Sequence, residues 1–588
     1  MFIYPDFIFH IMKRWILLGL LTSASIQLYA QKQDNIWLFG YDYSDTPLSE
    51  GIRFQFWDSL IIISEQRPMP FSDCEASICN SLGQLVLYTN GCYIEGPNGL
   101  EVEGSEGLNP GLQYSLYCNA GYGYRLPQNT VILQDLQSPV LYHFFHYPRS
   151  QSVINKNLLH TLVDMSANDG NGQVIFKNAP VVIDTIHNDG LHAVKHANGR
   201  DWWVVAAKKH SNVYFILLFS PLGISVHQQA IGNVAVDGNT YGELVFSPDG
   251  SKLARFNPQD DLQVFDFDRC TGELSNLVHV PVIDDADIEY FGGLAWSADG
   301  RYLYAAEVKR LLQFDTWATD LAGSMVIVAE AEPPVCFLSG TIGYMELGPD
   351  GMIYSRPLNG QNCMHRIKHP ERGGTACEFE QNYYQLEYPY ANMPHFPNFR
   401  LGPLDGSPCD TLGLDNHPLA NWRYDRTGGL GVDFTSVSWY EPTLWQWDFG
   451  DPASGAANNS GERNPAHTFS APGAYEVCLT VSNTYGSDTK CKTVWVLATS
   501  LTPRPPLQRR GGVILWPNPT TGELRWRGLP EGEAVTVRVF DALGRLAAER
   551  ETPEGFIRLD GLPAGLYQVL LTDERGKMLG GGAVVVAE

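Results

Sequence analysis

A chain of 588 residues is too long for one hydrophobic core, and its length predicts about three or four domains. Its 44% hydrophobic and 18% charged residues are the make-up of a globular protein rather than a disordered one. A formal charge of −25 argues against nucleic acid and against an anionic membrane surface, since both demand a basic face.

The first residues read as an address. Met12-Lys13-Arg14 is a short basic region, Trp15 to Leu21 is apolar, and Leu28-Tyr29-Ala30 offers a small-residue cleavage point before Gln31. That order predicts a secretory signal peptide over 1–30, with translation beginning at Met12, and a mature chain outside the cytoplasm. No other run reaches the ~18–20 apolar residues of a membrane span. Eleven cysteines in an exported chain predict disulfides with at least one thiol left over. Cys74 and Cys79 are too far apart in sequence for a CxxC site.

Residues 31–400 carry an internal repeat. The segments "HANGRDWWVVAA", "SPDGSKLARFN", "SADGRYLYAAE" and "GPDGMIYSRPL" align on Gly199, Gly250, Gly300 and Gly351, at intervals of 51, 50 and 51 residues. Asn-Gly and Asp-Gly suit turns that need a positive φ, so each marks a tight turn into a strand. Weaker copies lie around Gly83 and Ser138, and "NIWLFG" at 35–40 is expected to meet the chain near 380–400 and close a ring. Strand-rich repeats at this spacing predict a β-propeller of six to seven blades.

Within this region the densest histidine group is His187, His192 and His196, with His210 nearby. His192 and His196 have the i, i+4 spacing of zinc ligands, but on a strand such residues stand ~13 Å apart. Packing is the favoured reading, and no metal site is assigned. The loop "DMSANDGNGQ" offers Asp164, Asn168, Asp169 and Asn171, oxygen ligands that suit calcium. It lacks the Asp-x-Asp-x-Asp-Gly register and the distal Glu, so it reads as a plain loop, with calcium as the alternative. Asp284, Asp285, Asp287 and Glu289 in "IDDADIEY" would serve glycoside hydrolysis only if two of them faced each other across a cleft. No GxSxG, Walker or HExxH motif occurs, and no catalytic residue is assigned. Trp202, Trp203, Trp296 and Trp317 fit either a carbohydrate surface or packing between blades, and packing is favoured.

The Pro- and Gly-rich stretch 392–410 reads as the propeller's exit, with a linker over 401–424. A compact unit of alternating strands follows over 425–497, shown by Tyr475, Val477, Leu479 and Val481 alternating with polar positions. Cys478 and Cys491 flank the turn "NTYGSD" on two such strands and are a disulfide candidate. Asp448 and Asp451 in "WDFGD" are expected to bond turn amides. The motifs Trp447, Phe449, Gly450, Asp451, then Asn464, Pro465, His467, Phe469, then Gly473 and Tyr475 occur in the order of the PKD domain, which this unit resembles. The resemblance implies an immunoglobulin-like β-sandwich. The polar stretch "DPASGAANNSGERNP" departs from it by lengthening one loop.

Residues 498–512 form a Pro- and Arg-rich linker, and 513–588 a last strand-turn-strand unit of about seven strands. "PNPTTGEL", "VRVFDALGR" and "LDGLPAGLYQVLL" carry Pro517, Asn518, Pro519, Gly522, Gly544, Gly565 and Tyr567. In that order they resemble the C-terminal sorting domain of type IX secretion cargo in the Bacteroidetes, a small β-sandwich. The repeat region, in "AVKHANGRDWWVVA" and "HFPNF", also resembles the propeller-like part of such cargo. The resemblance implies the type IX machinery as a partner, passage through the periplasm, and release or attachment at the outer surface. The family's Lys-bearing last strand is replaced here by "GGAVVVAE". The expected protein is all-β and acts as a non-catalytic binding or adhesion platform for glycan or protein. The alternative is a propeller hydrolase or lyase acting on glycan or peptide.

Overall fold

The computed structural model describes residues 31–40, 49–149, 155–234, 240–282, 291–332, 340–358, 360–496, 514–516, 522–527, 535–540, 546–552, 555–559, 561–563, 565–572 and 578–586. The expected signal peptide, the Pro- and Arg-rich linker and the acidic segment with Asp284, Asp285, Asp287 and Glu289 lie outside them. Among the described residues, no helix is long and apolar enough to cross a membrane.

The protein is all-β, and the described residues between 36 and 390 form seven antiparallel blades. Blades 5, 6 and 7 are four-stranded meanders beginning at Glu243–Phe246, Gly293–Trp296 and Met345–Leu347. Among the described residues, blade 1 (36–67) and blade 2 (76–95) have three strands each. Blades 3 and 4 share one strand, Gln173–Lys195, which ends blade 3 and begins blade 4. Its ladder breaks between Ile186 and Leu191, and Gly190 at φ 84 takes up the bend. The first strands of blades 2 to 7 touch in sequence around a central channel.

The repeated glycines all occupy one structural position. Gly83, Gly199, Gly250, Gly300 and Gly351 have φ between 72 and 83 and turn the first strand of a blade into its second. They lie at one end of the ring, called here the lower face. Ser138 sits in the corresponding turn of blade 3.

The ring closes where residues 390–400 run down the channel opposite in direction to Ile36–Gly40. Tyr390 packs on Phe39, Phe396 on Trp37, and Arg400 forms a buried ion pair with Asp34. The expected meeting of 35–40 with the chain near 380–400 is therefore made by side chains, while Ile36–Gly40 takes its backbone ladder from Ser49–Phe56. The exit continues beneath the turns: a Cβ on Gly199 would lie 2.7 Å from Pro403 N, and one on Gly250 2.9 Å from Leu401. Cys270 of blade 5 is disulfide-bonded to Cys409. The stretch expected as a linker, 401–424, is thus fastened to the lower face.

A seven-stranded sandwich follows from Trp422, three residues before the position expected from sequence. Its sheets are Trp422–Gly428, Gly431–Ser436, Ala466–Thr468 and Asn459–Ser460, Leu444–Asp448, Gly473–Asn483, Gly486–Val496, each in spatial order. The polar stretch after Asp451 supplies a short 3-10 helix and the edge strand Asn459–Ser460. The last unit repeats the connectivity. Its strands Ile514–Trp516, Glu523–Arg527 and Phe556–Arg558 face Leu546–Thr552, Val535–Phe540, Gly565–Thr572 and Met578–Val586. In both sandwiches a tyrosine four residues past a turn bonds back: Tyr475 to Ala471 O and Tyr567 to Pro563 O.

At Gly250 an added side chain meets two penalties, a left-handed backbone and filled space against Val194 (2.7 Å) and Arg269 (2.9 Å). Gly250→Val is expected to cost about 2–4 kcal/mol. Gly406→Ala, with φ 74 but no heavy atom within 4 Å of the new Cβ, should cost about 1 kcal/mol. Urea titration of both variants tests the difference.

Candidate functional site

The two ends of the channel differ in what covers them. At the lower end Phe396, Pro397 and Asn398 lie across the mouth, with Val437, Ser438 and Trp439 of the sandwich beneath. The space left between them is about 140 Å³. A pair of histidines fills the channel above: His192 and His395 meet edge to face, with ring centroids 4.7 Å apart. His192 Nε2 meets Phe396 O at 3.2 Å and His395 Nε2 meets Leu191 O at 2.7 Å, so each ring helps hold the exit strand against blade 4. Burial lowers both pKa values, that of His395 to about 4, so both are neutral at pH 7.

The upper mouth is built from Asp73, Glu75, Tyr241, Phe291 and Tyr344, which lead into first strands, and from Arg149 and Arg356, which follow the second strands of blades 3 and 7. Arg149 donates to Tyr241 Oη and lies over its ring. Tyr241 stacks on Phe291 at 5.3 Å and 13°, and Phe291 meets Tyr344 edge-on at 6.0 Å. Arg356 lies 4.9 Å from the Tyr344 ring centroid. Asp73 stands near both guanidinium groups; burial raises its pKa and the two arginines oppose that rise. Glu75 is buried, neither of its oxygens has a hydrogen-bond partner among the described residues, and burial holds its pKa well above the usual range. The mouth therefore presents two cations, an aromatic set and two carboxyls in a place of low dielectric, where polar contacts are strong.

Glu243 lies deeper and is committed to the fold. It accepts from Gln128 Nε2 of blade 3, from the Leu294 amide of blade 6 and from the Met345 amide of blade 7 at 3.3 Å. Burial is the largest influence on its pKa and raises it to about 8.

His187, Asp189 and Asp260 bring ligand atoms within 4.8 Å of one another, the arrangement of a cation site. The cation there is Arg255, whose Nε lies 2.5 Å from Asp189 and whose other nitrogen pairs with Asp260. His187 Nδ1 is 2.7 Å from Asp189. Two carboxylates, one guanidinium and a histidine, all buried, form an anchor that fastens the strand shared by blades 3 and 4 to blade 5.

The other histidines of the sequence group do not converge. His196 Nε2 faces Cys270 O at 3.1 Å, and His210 lies in the turn after Trp202–Lys208. The loop with Asp164, Asn168, Asp169 and Asn171 turns its polar groups on itself and its neighbour: Asp164 accepts from Ser166, and Asn171 from Asn98. Trp202, Trp203 and Trp296 are buried between blades, whereas Trp317 is exposed beneath Arg301. Cys478 and Cys491 pair across adjacent strands, and Cys92 is joined to Cys118. Cys74, Cys79 and Cys377 are buried thiols.

In the sandwich after the propeller, Trp447, Phe449 and Phe469 form the core with Trp422 and Phe434. His467 stacks on Phe449 at 4.3 Å and meets Asp451, whose carboxylate also accepts from Ser470 N at 2.7 Å. Asp448 accepts from Gly450 N, and Asn464 from Ser436 N. A Cβ on Gly450 would collide with Glu476. These contacts hold strands and turns together. Residues 426–497 match the PKD domain family. Pro465 lends its carbonyl to Phe434 N, and Gly473 opens the strand carrying Tyr475 in the PKD domain.

Of the residues expected to carry a sorting motif, Pro517, Asn518, Pro519 and Gly544 lie outside the described residues. Gly522 leads into Glu523–Arg527, and Gly565 and Tyr567 lie on Gly565–Thr572.

No curated protein matches the chain. Among solved structures, the PKD1 domain of the Vibrio cholerae metalloprotease PrtV is 30% identical, over 13% of this chain and 95% of its own, with a TM-score of 0.12. A Bacteroides uniformis protein named as a candidate 6-phosphogluconolactonase is 12% identical, over 60% of this chain and 97% of its own, with a TM-score of 0.36. A Lactobacillus plantarum protein is also 12% identical over the same shares, with a TM-score of 0.35.

The buried Glu243 carboxyl gives a testable pH dependence. In the unfolded chain it loses its proton near the ordinary 4.5, and in the folded chain near 8. Between those values the native state binds more protons than the unfolded state, so stability falls as pH rises and levels off above pH 8. Glu243→Gln removes the titration, and its urea midpoint should change less than the wild type's between pH 5 and pH 8.

Proposed function

We propose that this chain is an extracellular binding protein whose propeller takes a glycan or protein ligand at its upper mouth. The observation that supports this is the pairing of Arg149 and Arg356 with Tyr241, Phe291 and Tyr344 around Asp73. Guanidinium forks recognise carboxylates and other planar anions, and aromatic faces take the apolar side of a sugar or side chain. The PKD domain acts as a spacer or adhesion module. Residues 513–588 act as the type IX sorting domain of a Bacteroidetes cargo, on the resemblance of Pro517, Asn518, Pro519, Gly522, Gly544, Gly565 and Tyr567 to that family. Residues 1–30 direct entry to the periplasm, and the mature protein is delivered to the outer surface or released.

A propeller hydrolase or lyase is the second reading. It would draw on Glu75, the mouth carboxyl that burial keeps protonated and whose oxygens bond nothing described.

Screening the full mature chain against glycan and peptide arrays, with hydrolysis followed in parallel, separates the two. Binding without turnover, weakened about tenfold or more in Arg149→Met and Arg356→Met, is expected. Turnover that disappears in Glu75→Gln would sink the binding-only reading. In the native host, loss of 513–588 should leave the protein in the periplasm, and normal surface delivery of that truncation would refute the sorting assignment.

A further inference from the structure

The largest cleft described lies outside the propeller channel, between blades 1 and 7 and the PKD domain, and encloses about 740 Å³. That is the size of a small-ligand site, and seams between domains are where such sites concentrate. Its walls carry eight basic and five acidic side chains, in a chain with 40 Lys and Arg against 65 Asp and Glu. The sign of the cleft is thus opposite to that of the molecule.

The excess is local. Arg366 is paired with Glu380 at 2.5 Å, Lys368 and Arg423 with Asp425 at 3.2 Å each, and Arg400 with Asp34. Lys32 and Lys490 instead share one carboxylate, Asp58, and Lys492 lies in the field of Asp58 and Asp350. Lys490 Nζ lies 2.7 Å from Asp58 Oδ1, while Lys492 Nζ reaches the Asp58 carbonyl at 3.2 Å and the Trp422 carbonyl. Burial lowers the pKa of Lys32, and the neighbouring charges of Lys490 and Arg400 lower it further. Lys492 is lowered to about 8, by burial first. Trp57 stands beside this group with 43% of its surface exposed, its ring 5.7 Å from Lys32 Nζ. Tyr383 and Tyr384 line the propeller wall.

We infer that this cleft binds a short anionic saccharide, with Trp57 stacking on a sugar ring and Lys32, Lys490 and Lys492 holding its acidic group. An exposed tryptophan face suits the C–H side of a pyranose, and crowded ammonium groups gain most from an anion that relieves their mutual repulsion. The enclosed volume suits a few sugar rings rather than a long polyanion, which the charge of −25 would repel elsewhere. The acidic group is a carboxylate or a sulfate. This site is separate from the upper mouth and shares no residue with it.

Calorimetry on the full mature chain at low salt tests it, with tetragalacturonate for the carboxylate, a heparin tetrasaccharide for the sulfate and cellotetraose as the neutral control. Binding of either charged probe, at least about tenfold tighter than cellotetraose and weakened by 0.5 M salt, is expected. Trp57→Ala and the pair Lys32→Gln with Lys490→Gln should each weaken it about tenfold or more. Asp58→Asn should tighten it several-fold, a gain that misfolding cannot imitate. Arg149→Met should leave it unchanged, which keeps this outcome distinct from binding at the mouth. Absence of binding by both charged probes, indifference to all the cleft variants, or tighter binding of a short single-stranded oligonucleotide would overturn the inference.

Discussion

A ring of blades has no covalent closure, so its stability rests on how the first and last turns of the chain are fastened. Here that work falls on a few contacts around Ile36–Gly40: Phe39 on Tyr390, Trp37 on Phe396, and the ion pair of Asp34 with Arg400. Losing one partner of a buried ion pair costs about 3–5 kcal/mol, because the other charge is left without compensation. That is a large share of the stability of an ordinary domain. Running the exit down the channel has a second effect. The segment that closes the ring also occupies the lower half of the channel, so within the channel the chemistry left for a ligand is confined to the upper mouth.

The lower face meets the opposite fate. The repeated turns present a flat ring of glycines, and a flat ring accepts a close neighbour: Pro403 against Gly199, Leu401 against Gly250, Val437 against Gly351. Small residues at the turns thus serve two purposes, the positive φ and the close approach of another backbone. Docking the PKD domain there and along blades 1 and 7 makes the long cleft with Trp57 at its edge.

The sequence was most legible where structure is local. A glycine turn every fifty residues follows from backbone geometry alone, and the alternation in Gly473–Asn483 follows from one buried face. The same locality explains Asp448 and Asp451, whose partners lie in their own domain. What escaped was convergence. Arg149 and Arg356 follow the second strands of blades far apart in sequence, and both come near Asp73 only because the ring brings those strand ends to one mouth. His192 was visible as one of a histidine group, but its partner is His395 of the exit strand, not His187 or His196. His187 belongs to that same group, and only the fold brings it to Asp189 and Asp260 and places Arg255 between the two carboxylates. Nothing in a list of charges marks Lys32 and Lys490 as neighbours, since one opens the propeller and the other closes the PKD domain.

The bond between Cys270 and Cys409 has a mechanical meaning. A pull on the PKD domain travels back along the chain and reaches Cys409 before Arg400. The load that the chain itself carries then passes through a covalent link into blade 5 before it reaches the contacts that close the ring. The ring is tethered by its flank rather than by its clasp.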